Sequence, residues 1–150
     1  MARFGSVLVD AAGVERFADR NREATMEDAT RHPEFEIARW AAVNLTAEER
    51  AAATVYTSGE HCPVCSAAHA WVGLGRIVDV ASAEQIAGWR EALGAPASPV
   101  AVLPITAVAP GPPVDKISAA ASPLLKTSRR PRLPLAVGVV VRDRQGRCLG

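Results

Sequence analysis

TSGEHCPVC, residues 57–65, lies between a strand-like run and a helix-like stretch, and this junction decides the fold. The run that leads into it, TVYTS at 54–58, is rich in β-branched residues and has the length of a strand. CPVCSAAHAWVG at 62–73 places proline early and glycine late, which is typical of a helix. GRIVDVAS at 75–82 is a second strand pattern. This order predicts a βαβ unit, in which functional sites lie where parallel strands end and the next helix begins.

The segments on either side of this unit extend the prediction to a mixed α/β sandwich. Two short apolar runs separated by AAG predict an antiparallel hairpin. PEFEIARWAAVNL is rich in helix formers, and Pro33 stands in a first-turn position that tolerates a missing N–H. SAEQIAGWREALG begins at a Ser82 cap and is followed by an extended segment broken by Pro104. The predicted elements outside the βαβ unit are strands 4–10 and 14–20, helices 33–45 and 82–94, and the extended segment 97–110.

Composition and charge exclude several classes of protein. A chain of 150 residues that is 49% hydrophobic predicts one globular domain. No run approaches the roughly 18 apolar residues of a membrane span, and MARFGSVLVD lacks the pattern of a secretory signal, so we expect a cytoplasmic protein without a membrane partner. Residues 1–122 carry 10 basic and 15 acidic side chains, which does not suit binding to nucleic acid. Only the stretch KTSRRPR, residues 126–132, could supply a basic surface.

Cys62 and Cys65 are spaced to bind one metal ion from a single helical turn. With His32, at another predicted helix start, they supply the three protein ligands of a catalytic zinc site. Glu34, two residues after His32, could act as a general base without being a ligand. A structural zinc ribbon would need a second ligand pair, and only Cys148 remains. A redox pair stays open as an alternative, although it leaves His32 and Glu34 without a role.

These residues carry a resemblance to a known family. His32-Pro33-Glu34 followed by TSGEHCPVC, a helix and GLGRIV, with FGSVLVD at the start, resembles the cytidine deaminase-like superfamily over about residues 4–109. The likeness is to the branch of guanine deaminases and tRNA adenosine deaminases. It implies a three-layer α/β/α fold with a mixed central sheet. It also implies Zn²⁺ held by His32, Cys62 and Cys65, with Glu34 moving protons while a zinc-bound hydroxide displaces ammonia.

The resemblance further implies a substrate pocket and an assembly. Phe4 and Trp71 fall where relatives place aromatic rings against a purine base, and Asn21, eleven residues before His32, falls where they place a polar contact. Core packing for the two aromatic residues, and a turn for Asn21, are the structural alternatives. The implied partners are a small purine base or nucleoside and a second copy of the chain in a homodimer.

Both ends of the chain depart from the family pattern. Relatives begin with a helix before the first strand, and its loss predicts either a truncated chain or a sheet face covered by self-association. We expect a zinc domain over residues 1–109, a linker rich in proline, alanine and basic residues over 110–132, and a strand-forming tail over 133–150. The tail has Asp143 but lacks the tyrosine with which guanine deaminases close the pocket. Its sequence LAVGVVVRDRQGRCLG predicts a hairpin.

Three functions therefore stay open at the level of sequence. The favoured one is a zinc-dependent hydrolytic deaminase of a small purine base or nucleoside, with guanine-like substrates first. The second is a tRNA adenosine deaminase, in which residues 126–132 would contact RNA. The third is a non-catalytic protein in which zinc is structural, a reading that the presence of Glu34 disfavours.

Overall fold

The computed structural model describes residues 4–117 and the backbone of residues 141–142 and 148–149. From the first hairpin to the helix after Ser82, its elements follow the predicted order, with two short helices added. The strands are β1 Gly5–Val9, β2 Glu15–Arg20, β3 Thr54–Gly59, β4 Arg76–Ala81, β5 Val114–Lys116, β6 Val141–Arg142 and β7 Cys148–Leu149. The helices are α1 Glu23–Met26, α2 Pro33–Asn44, α3 Ala47–Ala52, α4 Pro63–Trp71, α5 Ala83–Ala92 and α6 Ile105–Val108.

β1 and β2 form the predicted antiparallel hairpin. Its turn is held by Asp10, whose Oδ1 accepts hydrogen bonds of 2.9 Å from the backbone N–H groups of Ala12 and Val14. Gly13 has a φ of +81°, a conformation that side chains disfavour. The short AAG sequence is therefore suited to a tight reversal of the chain.

The main sheet has five strands in the order β2-β1-β3-β4-β5. β1 is antiparallel to both of its neighbours, whereas β3, β4 and β5 are parallel to one another. The predicted mixed sheet and the βαβ unit formed by β3, α4 and β4 are therefore confirmed. The carboxyl end of β3, at Gly59, leads directly into the loop before α4, which is where folds of this kind place a site.

One face of the sheet, covered by α2 and α4, carries the main hydrophobic core. Leu8 of β1 and Val55 of β3 pack against Ile37 and Ala41 of α2, and all four side chains are fully buried. At the β2 edge, the rings of Phe17 and Trp40 stack on this core with their centroids 5.2 Å apart. The core fixes α2 across β1 and β3, and so fixes the position at which α2 begins.

The helices that bury residues all lie on this same face. α6 packs there through Ile105 and Ala109 against Ile77, which pairs with Val55 in the parallel register. Helices α1, α3 and α5 contain no buried residue. The other face, which the sequence predicts to lack one helix, carries Val7, and this side chain is only 8% exposed. That face is therefore covered at Val7 and not open there.

The extended segment predicted at residues 97–110 forms no strand of the sheet and contains a short helix after Pro104. Pro104 precedes the one-turn helix α6, and the strand that pairs with β4 is β5, a few residues later. Pro99 and Pro104 have no N–H for a strand ladder, so the extended-looking run cannot pair continuously. Because β5 belongs to the main sheet, the sheet extends past residue 109 and reaches Lys116.

Most of the predicted linker and tail lie outside the described residues. This holds for the basic stretch 126–132 and for Asp143. Within the tail, β6 and β7 pair antiparallel, in agreement with the predicted hairpin. None of the helices formed by the described residues has the length and apolarity needed to cross a bilayer.

Candidate metal centre

His32, Cys62 and Cys65 bring three potential metal ligands together, as the sequence predicts. Cys62 Sγ lies 3.3 Å from His32 Nδ1, Cys65 Sγ lies 3.4 Å from the same nitrogen, and the two sulfurs are 3.4 Å apart. Within the described part of the chain, no other set of three His, Cys, Asp or Glu side chains is placed to hold a metal ion.

Two helix starts position these ligands. His32 is the N-cap of α2 and Cys62 is the N-cap of α4, and each is followed by a proline in the first turn. Neither side chain caps its own helix, so the imidazole and the thiol are free to face each other. Cys65 lies one turn into α4 and is fully buried. The partial positive charge at the start of α4 favours thiolates at both cysteines.

The three groups stabilise one another's charged and protonated forms, and a bound metal ion would displace the protons of His32 and Cys65. The pKa of Cys62 is lowered to about 4 by its hydrogen bonds with Cys65 and His32. The pKa of His32 is raised to about 9, chiefly by the hydrogen bond to the Cys62 sulfur. The pKa of Cys65 is raised, because its hydrogen bond with Cys62 and its burial both favour the thiol. Cys62 is therefore already a thiolate at neutral pH, which is the form that binds metal.

The dimensions of the triangle fit a tetrahedral zinc ion. Bonds of about 2.3 Å to sulfur and 2.0–2.1 Å to nitrogen place tetrahedral ligand atoms about 3.5–3.8 Å apart. The observed separations of 3.3 to 3.4 Å are within about 0.4 Å of those values. Two thiolates and one imidazole are also a donor set that zinc prefers, and three protein ligands leave a fourth position.

Glu34 is buried beside this triangle and is held by two hydroxyl groups. Ser6 Oγ lies 2.8 Å and Thr57 Oγ1 2.7 Å from Glu34 Oε1, and the carboxylate residue is 7% exposed. Burial raises the pKa of Glu34, and the hydrogen bonds from Thr57 and Ser6 oppose that rise only in part. Its charge in turn favours the protonated forms of His32 and Cys65. The raised pKa of Glu34 and its position beside the triangle suit it to accept and return a proton.

Two of the three predicted substrate contacts lie close to the centre. A Cβ atom added at Gly59 would be 3.0 Å from the ring of Phe4, so this ring packs over the end of β3. Asn21 precedes Glu23, which contacts His32. Both side chains are half-buried at the edge of the site.

Trp71 lies elsewhere. It is the last residue of α4, about 13 Å along the helix axis from Cys62, and is 88% exposed. Within one chain, the helix that begins at Cys62 carries Trp71 away from the three grouped side chains, and its contact with a substrate stays a prediction.

Glu60 supports the metal loop, as expected, and the structure shows how. Its carboxylate accepts hydrogen bonds of 2.8 Å from the backbone N–H groups of Ala83 and Ile105, and one of 2.9 Å from Lys116 Nζ. Burial would raise the pKa of Glu60, but these hydrogen bonds and the Lys116 charge hold it below its usual value. One side chain thus joins the starts of α5 and α6 to β5, two residues before Cys62.

Sequence reasoning missed Ser6, Thr57 and Glu23. A signal exists for the first two: each is a polar residue that alternates with buried apolar residues on an inward strand face, and the two pair across β1 and β3. Glu23 lies in a segment, residues 21–31, that has no periodic pattern. Its role depends on how the chain reverses before α2.

His61 and His69 form a buried pair that the metal centre does not use. Their rings meet edge to face with centroids 5.2 Å apart. Burial lowers the pKa of His61 to about 3, and burial also lowers the pKa of His69. His69 Nε2 lies 2.9 Å from the Gly75 carbonyl oxygen, whereas both ring nitrogens of His61 lack a partner among the described residues. Both histidines are neutral parts of the interior.

Comparisons with known proteins place this geometry in context. No protein-family model and no curated protein matches the chain. Among solved structures, one from a study of tRNA deaminases that carry out A-to-I editing at the wobble position is 23% identical. That match covers 75% of this chain and 81% of the other, with a TM-score of 0.50.

Two further structures are similar at the same level. A mutant protein in complex with 8-azaguanine is 20% identical over 75% of this chain, with a TM-score of 0.52. A guanine deaminase from Nitrosomonas europaea is 17% identical over 77% of this chain, with a TM-score of 0.50. The chain spans 63% and 64% of the lengths of these two proteins. The likenesses show that the chain has the cytidine deaminase-like fold, as its residues predict.

Proposed function

We propose that this protein is a zinc-dependent hydrolytic deaminase of a small purine base or nucleoside, with guanine-like substrates favoured. The observation that carries the proposal is the triangle of His32 Nδ1, Cys62 Sγ and Cys65 Sγ beside the buried carboxylate of Glu34. A structural zinc site does not require a buried carboxylate that is not a ligand, so Glu34 would have no role in it. In a redox pair His32 would stabilise the Cys62 thiolate, but the buried Glu34 would have no role.

His32, Cys62 and Cys65 would hold the zinc ion. When bound, zinc supplies a Lewis acid that makes a water molecule acidic enough to act as a nucleophile near neutral pH. Glu34 accepts a proton from the attacking water and returns one to the departing amine. Ser6 and Thr57 hold Oε1 of this carboxylate in place while its protonation state changes.

The proposed substrate class follows from the walls of the site and from the structural neighbours. The net acidic charge of residues 1–122 disfavours a polyanionic substrate and suits a neutral base. Solved structures of one neighbour are in complex with 8-azaguanine and with 2,6-diaminopurine. The ring of Phe4 over the end of β3 and the amide of Asn21, which contacts Glu23, are the proposed contacts to the base. A cytoplasmic location is part of the same proposal.

A homodimer is the proposed assembly. Trp71, at 88% exposure on the end of α4, is the large aromatic side chain that a second copy would cover. Size-exclusion chromatography with light scattering, on the unchanged protein and on Trp71→Ala, tests this. A dimer that becomes monomeric on substitution is expected, and a monomeric unchanged protein would contradict the proposal.

Editing of tRNA adenosine is the second candidate. It is favoured by the structure from the study of tRNA deaminases. This chain covers 81% of that neighbour's length but only 64% of the length of the guanine deaminase. The basic stretch 126–132 would supply the phosphate contacts. Binding of a tRNA stem-loop that weakens steeply as salt is raised supports this candidate.

The deciding experiment measures zinc content and ammonia release together. Purified protein is assayed with guanine, guanosine, adenosine, cytidine and a tRNA stem-loop. We expect one zinc ion per chain and release from guanine or a related purine. Release from the stem-loop alone would favour the tRNA candidate, and stoichiometric zinc without release would favour a non-catalytic protein.

Two variants separate the ligands from the proton carrier. Glu34→Gln should keep its zinc while the rate of ammonia release falls by about 10²- to 10⁴-fold, the usual contribution of a general base. Cys62→Ser should lose zinc and activity together. Glu48→Gln, which changes an exposed glutamate of α3, is the matched control and should alter neither. Activity that survives in Glu34→Gln would show that the proton is moved by another group.

A further inference from the structure

The two nitrogens of the His32 ring face different groups. Nδ1 faces the sulfurs of Cys62 and Cys65, at 3.3 and 3.4 Å. Nε2 faces outward and lies 3.0 Å from Oε1 of Glu23. A neutral imidazole carries one N–H and one lone pair, and only the nitrogen with the lone pair can bind a metal ion. The partner of Nε2 therefore decides whether Nδ1 is available.

Glu23 is itself held in place by its neighbour Asn21. Asn21 Nδ2 donates a hydrogen bond of 2.5 Å to Glu23 Oε1, and the backbone N–H of Glu23 donates one of 3.1 Å to Asn21 Oδ1. A backbone hydrogen bond of 3.0 Å, from the Arg22 N–H to the Arg31 carbonyl oxygen, joins the two ends of this segment just before His32. The carboxylate thus occupies a defined place against His32 through contacts in its own segment.

We propose that Glu23 is a positioning residue for the metal ligand His32, with Asn21 holding Glu23 in turn. Glu23 accepts a hydrogen bond from Nε2–H, which keeps the proton on Nε2 and presents the lone pair of Nδ1 to the metal. The same contact fixes the rotation of the ring toward Cys62 and Cys65. This inference rests on the proposed metal site.

Geometry, more than charge attraction, gives Glu23 this role. The side chains of Glu23 and His32 are 38% and 23% exposed, so water weakens the ion pair between them. The 3.0 Å approach of Oε1 to Nε2 is not removed by that screening. A carboxylate that accepts from the second nitrogen of a ligating histidine raises the basicity of the ligand and fixes its orientation, and its loss typically costs about 10- to 100-fold in metal affinity.

Zinc affinity, measured by competition with a chelator, tests the proposal. The unchanged protein is compared with Glu23→Ala, Glu23→Gln and Glu48→Ala. We expect Glu23→Ala to bind zinc about 10- to 100-fold more weakly. Glu23→Gln should recover most of the affinity, because its amide oxygen still accepts from Nε2–H. Glu48→Ala removes an exposed glutamate that has no side-chain partner among the described residues, and should match the unchanged protein.

A nuclear magnetic resonance measurement identifies the contact directly. In protein loaded with ¹¹³Cd, coupling to the metal marks the Nδ1 nitrogen of His32 and so assigns its Nε2–H. That proton should exchange slowly with water in the unchanged protein and in Glu23→Gln, and rapidly in Glu23→Ala. A merely structural role for Glu23 would change protein stability without this selective loss of protection.

The outcomes separate this inference from the proposed function. If the unchanged protein binds zinc and Glu23→Ala binds it as tightly as Glu48→Ala does, the inference is overturned while the metal site stands. If Glu23→Gln loses as much affinity as Glu23→Ala, with Nε2–H unprotected in both, charge and not the hydrogen bond is decisive and the inference fails. An unchanged protein that binds no zinc would overturn both.

Discussion

Replacing Lys116 by methionine should destabilise the protein by an amount that depends on pH. Lys116 Nζ lies 2.9 Å from Glu60 Oε2 and 3.2 Å from Asp79 Oδ2. The side chains of the two acids are 2% and 0% exposed. The ammonium group is thus the counter-ion of two buried carboxylates at once. Methionine keeps an unbranched side chain out to Cε and removes the ammonium group.

The size of the effect follows from the burial of the acids and the exposure of the lysine. Removing one partner of a fully buried ion pair costs about 3–5 kcal/mol, because it leaves an uncompensated charge in the interior. The Lys116 side chain is 49% exposed, so water already screens part of its attraction. We therefore expect a loss of about 2–3 kcal/mol in the free energy of unfolding at neutral pH.

The loss should shrink as the pH falls. Burial already raises the pKa of Asp79 above its usual value, and the Lys116 charge opposes that rise. Without Lys116 the folded-state pKa of Asp79 rises further. The penalty for a charged Asp79 is complete above this pKa and is lost as the pH falls through it, toward the ordinary value of about 3.9. Protonation then removes the uncompensated charge.

Urea unfolding, followed by tryptophan fluorescence at pH 8 and pH 5, measures both effects. Arg76→Met is the matched control, since Arg76 also pairs across β4 and β5, with Asp115, but both side chains are more than half exposed. It should cost about 0–1 kcal/mol at both pH values. Equal losses in the two variants, or a loss in Lys116→Met that grows on acidification, would refute the reasoning.

Three further substitutions test the packing, each by urea unfolding. Gly75→Ala should cost about 2–3 kcal/mol, because the new Cβ would lie 2.3 Å from the Ala51 carbonyl oxygen; unchanged stability would mean that β4 can shift there. Gly88→Ala should instead add about 0.5–1 kcal/mol, since Gly88 lies inside α5 with no atom within 4 Å of the new Cβ, and a loss would show that its site is crowded. Ile37→Ala should cost about 2–5 kcal/mol through a cavity in the main core, and a cost below about 1 kcal/mol would contradict the packing of α2.

The grouping of His32, Cys62 and Cys65 could be predicted because its signals are local. His32 and Cys62 each precede a proline at the first turn of a helix, and the C-x-x-C spacing places Cys65 one turn further on. Helix starts and helical spacing are set by neighbouring residues in the sequence. The βαβ order then brings a strand end and a helix start together without any knowledge of side-chain packing.

The residues that support the ligands could not be predicted, because their partners are distant in sequence. Ser6 reaches Glu34 only when β1 pairs with β3 in the register that places it beside Thr57, 51 residues away. β5 was missed for a similar reason. β5 has only three residues, Val114–Lys116, and follows two prolines, so its sequence carries almost no strand pattern. Its pairing with β4 is accompanied by a contact between Lys116 and Asp79, which are distant in sequence.

The metal triangle depends on two carboxylates that are not ligands and that act in different ways. Glu23 orients one ring through a half-exposed contact within its own segment, so its loss changes the ligand and leaves the core intact. Glu60 lies two residues before Cys62 and joins α5, α6 and β5, so its loss disturbs three elements as well as the cysteine loop. Metal affinity and stability should therefore separate at Glu23 and change together at Glu60. That difference follows from burial. Losing a buried carboxylate leaves its partners uncompensated and lowers the stability of the fold, whereas losing an exposed one removes only its contact with one partner.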